Sequence, residues 1–147
     1  MNKQMMRLAL QYAQEALTLG EVPVGAVVAK GSQVLGAAFN LRETHQSPLA
    51  HAEIEAIRAA CQALGDWRLS GCDLYVTLEP CPMCAGAILN ARLSRVFFGA
   101  YDYHYGACGT HDNLFAKNKA MGTVEIYGGM MEEECQKLLK DFFKTIR

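Results

Sequence analysis

Asp73-Leu74-Tyr75-Val76-Thr77-Leu78, followed by Glu79-Pro80-Cys81-Pro82-Met83-Cys84, governs how the rest of the chain is read. The first six residues are rich in β-branched, aromatic and apolar types and predict a strand over 73–78. Pro80 and Pro82 punctuate its end. Because proline is tolerated in the first turn of a helix, a short helix of small and apolar residues follows over 83–91. A strand therefore runs into a helix, with a C-x-x-C pair at the joint.

Working outward, the same alternation recurs. Residues 95–99 read as a fourth strand, 100–111 as a loop rich in Gly and Tyr, and 113–121 as a short helix. A fifth strand over 123–127 and a closing helix over 131–146 complete that side. On the other side, Ile54, Ile57, Arg58 and Cys61 give helical spacing to a segment opening at Pro48 and running to Leu64. Residues 40–47 are polar and read as a loop. Val24 to Ala29 and Val34 to Phe39 form a hairpin across the turn at 30–33. An amphipathic helix over 3–19 precedes it, with Gly20 as its stop. Strands that alternate with helices imply an α/β class with a mainly parallel sheet covered on both faces, the first two strands being antiparallel.

The 147 residues are expected to form one domain, 1–147, with room for a substantial core. No apolar stretch approaches the roughly 20 residues of a membrane span. The polar-interrupted start, Met1 to Arg7, does not read as a signal peptide, so a cytoplasmic protein without membrane contact is expected. In that compartment six cysteines do not imply a disulfide framework. Cys61, Cys72, Cys108 and Cys135 sit among apolar neighbours and read as small buried hydrophobes. The net charge of −1 gives no global basic signal for nucleic acid. Near the end, Glu132 to Glu134 precede Lys137, Lys140, Lys144 and Arg147, an order the helix dipole favours and one that also supplies a local basic patch.

Two short motifs carry chemistry: His51-Ala52-Glu53 and Pro80-Cys81-Pro82-Met83-Cys84, each where a loop enters a helix. C-x-x-C alone fits half of a four-cysteine zinc site, but no second pair exists. It also fits a redox dithiol, which leaves His51 and Glu53 to be explained separately. Taken together, His51, Cys81 and Cys84 make three zinc ligands and leave one position for water, the catalytic arrangement. Glu53 then reads as an unliganded acid/base, against the plain alternative of a helix-start carboxylate that only favours the dipole. H-x-E followed by P-C-x-x-C is the established signature of zinc nucleobase deaminases and is applied here as such.

Longer strings narrow the reading. Glu21-Val22-Pro23-Val24-Gly25-Ala26-Val27, His51-Ala52-Glu53-Ile54, Leu74 to Cys81, Met83 to Ala87, Phe98-Gly99-Ala100 and Asp141-Phe142-Phe143 resemble the bacterial tRNA adenosine deaminases over nearly the whole chain. That resemblance implies a three-layer α/β/α, cytidine-deaminase-like fold on a five-stranded mixed sheet. It implies a homodimer with one zinc ion per subunit, and a tRNA anticodon stem-loop whose wobble adenosine becomes inosine. Residue by residue it implies that His51, Cys81 and Cys84 bind zinc and Glu53 shuttles protons. Asn40 would contact the flipped nucleoside, the Ala52 backbone would read the base and Val24 would pack on it. Asp102 would touch the RNA backbone, with Phe142 and Phe143 shaping the cleft for neighbouring nucleotides.

Each substrate contact has a plain alternative: Asn40 as a turn former, Val24 as core, Asp102 as a loop cap, the two phenylalanines as helix anchors. The chain departs from the family at Tyr103-His104-Tyr105, where smaller or more basic residues are expected; aromatics there could stack on unpaired bases or mark a changed substrate. The main rival function is deamination of a free base or nucleoside such as guanine or cytosine. A binding protein with a structural zinc site is a second rival.

Overall fold

The computed structural model describes residues 2–145. The elements follow in the order α1 (Lys3–Thr18), β1 (Gly25–Lys30), β2 (Gln33–Phe39), α2 (Ala52–Leu64) and β3 (Asp73–Leu78). They continue with α3 (Pro82–Ala91), β4 (Arg95–Ala100), α4 (Leu114–Lys117), a 3-10 turn (Lys119–Met121), β5 (Glu125–Tyr127) and α5 (Glu132–Thr145). The strands lie in the order β2-β1-β3-β4-β5. β3–β4 and β4–β5 pair parallel, whereas β1 pairs antiparallel with both β2 and β3. Four strands therefore share one direction and only β1 is reversed. The parallel sheet predicted from alternation is interrupted because the hairpin's first strand wedges between β2 and β3. The α2 crossover still joins two parallel strands, but they are not neighbours.

Side chains alternate across the sheet with the period of two that strands impose. Ala26, Val28, Leu74, Val76, Val96 and Phe98 face one core, shared with Ala52, Ala56 and Ala60 of α2 and with Ala85 and Ile88 of α3. Val27, Ala29, Tyr75, Phe97 and Ala100 face the other, against Met5, Met6 and Ala9 of α1 and Cys135 of α5. The result is the three-layer α/β/α arrangement and the five-stranded mixed sheet expected from the resemblance.

Two glycines set how closely the helices approach. A Cβ on Gly36 would fall on the Ala56 carbonyl oxygen and 2.7 Å from the Ala60 nitrogen. One on Gly25 would fall on the Ala9 carbonyl oxygen and 2.6 Å from the Ala13 nitrogen. Helix α2 thus rests on the bare backbone of β2, and α1 on that of β1. The Gly36→Ala variant has backbone, not a flexible side chain, in its way. It is expected to lose about 1–3 kcal/mol of stability, measured as a lower urea midpoint at unchanged slope.

The helix expected to open at Pro48 opens at Ala52, with His51 in extended conformation as its N-cap. The Ser47 hydroxyl accepts from the Leu49 N–H, its carbonyl accepts from the Ala50 N–H, and the Ala50 carbonyl accepts from the Leu41 N–H. These bonds hold 47–50 as a turn and delay the helix by one turn. The strand expected over 123–127 is shorter, Glu125–Tyr127. The helix predicted over 113–121 is split into α4 and the 3-10 turn. The closing helix is described to Thr145, so Ile146 lies outside the described residues. Among the described residues no helix is long and apolar enough to cross a membrane.

Candidate active site

The fold gathers its chemistry at one edge of the sheet. Strands β2, β3 and β4 end there, delivering Asn40, Glu79 and Asp102 close behind their last residues. The reversed β1 begins there, just after Val24. The N-termini of α2 and α3 arrive at the same place with His51 and Cys81 as their caps. Such an edge, beyond the carboxyl ends of parallel strands, is where open α/β sheets hold ligands.

His51 Nδ1 lies 3.7 Å from Cys81 Sγ and 3.5 Å from Cys84 Sγ. All three donor atoms fall within 4.8 Å of one another. A tetrahedral zinc with Zn–S of about 2.3 Å and Zn–N of about 2.05 Å separates sulfur from nitrogen by roughly 3.5–3.6 Å. Both the distances and the donor types fit that metal. A hydrogen bond from Cys84, followed by one with His51, lowers the Cys81 thiol to about 4. The Cys84 thiol is held up by its bond to Cys81 and by burial. The Cys81 thiolate in turn raises His51. A divalent cation bound here would neutralise the charge of both sulfurs.

Glu53, the second residue of α2, is 4% exposed and stands in the same cavity wall as His51 and Cys81. Burial pushes its carboxyl up to about 7. A group that takes and releases a proton near neutrality suits general acid–base work.

The cavity has a volume of about 430 Å³. Val24, Asn40, Ala52, Asp102 and Phe143 all line it, so five of the six expected substrate contacts come together. Phe142 does not line it; it packs edge-on against Phe143 at 5.3 Å between ring centroids. The plain alternatives hold alongside the cavity positions. Asn40 Oδ1 accepts from the Arg42 N–H, and its Nδ2 donates to the Val22 carbonyl, so it shapes the turn it leaves. Asp102 Oδ1 accepts from the N–H groups of His104 and Tyr105, capping its own loop. Val24 packs in the core on the α2 side. As the first residue of α2, Ala52 carries an N–H with no partner within the helix.

Two buried carboxylates escaped the sequence reading. Glu79, 2% exposed, accepts from the N–H groups of Asp102, Cys108 and Thr110. Glu21, 1% exposed, accepts from the Glu43 and Thr44 N–H groups and from the Thr44 hydroxyl. Burial opposes the Glu21 charge, but these donors and Arg42 outweigh it and hold the carboxyl below its usual range. Each carboxylate pins one loop beside the cavity, from 22–23 and 23–31 residues away in sequence. No periodic pattern marks such a residue, since its partners are backbone groups of a distant loop. Replacing Glu79 by Gln leaves one carbonyl oxygen for three donors and puts an NH2 group among them. Faster hydrogen exchange at residues 102–110 is expected, with a loss of about 2–3 kcal/mol.

The family model for MafB19-like deaminases matches residues 1–147. The chain is 47% identical over 142 residues to the tRNA-specific adenosine deaminase of Bacillus subtilis (strain 168), spanning 97% of this chain and 88% of that protein. It is similar to a solved structure from biochemical and structural studies of A-to-I editing by tRNA:A34 deaminases at the wobble position of transfer RNA. There the TM-score is 0.90 at 41% identity, covering 94% of this chain and 100% of the other. The guanine deaminase of Bacillus subtilis also matches, at a TM-score of 0.67 and 38% identity, over 80% of this chain and 75% of that one.

Proposed function

Because the chain belongs to the family of tRNA-specific adenosine deaminases, we propose that it hydrolytically converts adenosine to inosine at the wobble position of a tRNA anticodon. One observation carries the chemistry: the buried, raised carboxyl of Glu53 shares a cavity wall with His51 and Cys81 of the His51–Cys81–Cys84 cluster.

His51, Cys81 and Cys84 would hold one zinc ion per subunit. Bound there, zinc supplies Lewis-acid activation of the attacking water. Glu53 takes a proton from that water as its oxygen adds to C6 of the adenine ring. It delivers the proton to N1, and then helps the C6 amino group leave as ammonia. Water is consumed, and inosine and ammonia are the products. Asn40, the Ala52 N–H and Val24 hold the flipped base, while Asp102 and Phe143 meet the RNA around it. Phe142 acts from behind, by setting the ring of Phe143. A base reaches such a cavity only from a single strand or by leaving its stack, which the anticodon loop permits. The enzyme works as a cytoplasmic homodimer.

The test is turnover on an anticodon stem-loop beside free adenosine, guanine and cytosine. Inosine in the RNA with little reaction of the free compounds is expected. Turnover of free guanine without RNA activity overturns the proposal.

A further inference from the structure

We infer that Tyr105 is a specificity-determining residue that stacks on an unpaired base next to the one deaminated. This rests on the RNA reading above. The 101–113 segment combines two properties that rarely coincide. Its backbone is tied down: Asp102 Oδ1 accepts from His104 and Tyr105, the Asp102 carbonyl accepts from Gly106, and the Pro80 carbonyl accepts from Ala107. Glu79 adds three more bonds from beneath. Yet this fixed backbone holds the Tyr105 side chain out in solvent, with the residue 68% exposed. Tyr103 in the same loop is 71% exposed but does not line the cavity, so position and not exposure singles out Tyr105.

The position of the ring selects the cover. Tyr105 stands in the wall of the active-site cavity. The same wall carries Phe143, 47% exposed, and Arg42, whose side chain is 52% exposed. Two exposed aromatic rings at one opening match the chemistry of a single-stranded nucleic acid, with faces for bases; Arg42, paired with Glu43 at 3.4 Å, stands beside them, as does the Asp102 carboxylate. A site for a free base would instead close over its ligand. Base–aromatic stacking tolerates any base, so Tyr105 selects for an unpaired neighbour and not for its identity.

The experiment measures kcat and KM for wild type, Tyr105→Ala and Tyr105→Phe on three anticodon stem-loops. One is intact, and the other two carry an abasic nucleotide on the 5′ or the 3′ side of the target. On intact RNA, Tyr105→Ala is expected to raise KM roughly tenfold with a smaller effect on kcat, and Tyr105→Phe to restore it. On one of the abasic RNAs the wild type should lose the same factor, and Tyr105→Ala should lose nothing more. Unchanged KM in Tyr105→Ala, or losses that multiply on both abasic RNAs, overturns the stacking role alone. A wild type inactive on intact RNA overturns this inference and the proposed function together.

Discussion

Replacing Glu53 by Gln should lower kcat by about 10²- to 10⁴-fold, while the protein keeps its fold and about one zinc per chain. The amide preserves shape but cannot ferry a proton. Glu53 is second in α2 and lies outside the His51–Cys81–Cys84 cluster, so the variant removes the carboxylate and leaves those three donors intact. The metal-free protein gives an independent check with a definite sign. Burial raises the Glu53 carboxyl from 4.5 to about 7 in the folded state. Folding therefore favours its neutral form. The stability this contributes is complete below the unfolded value and lost as pH rises through about 7. Gln cannot ionise, so the metal-free variant should match the wild type at low pH and exceed it above neutrality. Near-normal turnover in Glu53→Gln would remove the proton-shuttle assignment.

The second large effect is expected at Cys84. Cys84→Ser keeps nearly the same volume at a fully buried position but weakens the soft donor of the three-ligand set. Zinc affinity should fall by more than about 100-fold, since changes one shell further out already cost 10- to 100-fold. Elemental analysis after gel filtration should find metal far below one per chain, with turnover falling in proportion. The two variants separate the roles: one keeps metal without proton transfer, the other loses metal with Glu53 in place. A Cys84→Ser protein with full zinc and full activity would overturn the donor set. A reversible Cys81–Cys84 disulfide with little bound metal in the wild type would instead favour a redox pair.

Much of this was legible from local pattern. The β3 strand, the prolines after it and the C-x-x-C pair placed Cys81 at a helix entrance, and the structure makes it the N-cap of α3. The His51 motif was equally clear, although the helix start was not. A serine turn over 47–50 competes with helix through side-chain bonds that spacing does not reveal. The place of β1 was also hidden, because sequence order shows which strands follow one another but not which strand wedges between two others. Glu21 and Glu79 were the deepest omissions. Each is a lone acid in an apolar context, and its purpose lies in a loop it meets only after folding. Phe142 and Phe143 are adjacent in sequence, yet the helical turn between them sends only one to the cavity.

Helix α2 sits on the naked backbone of Gly36 and carries His51 and Glu53 at its leading end. With no side chain between helix and strand, the approach of α2 to β2 is set by backbone atoms alone. In the proposed function, a nucleic acid reaching His51 and Glu53 would supply the bending and unstacking itself. A hairpin loop yields readily and a paired stem does not. Under the proposed function, the close seating of α2 on β2 would thus favour a loop over a stem before any base is read.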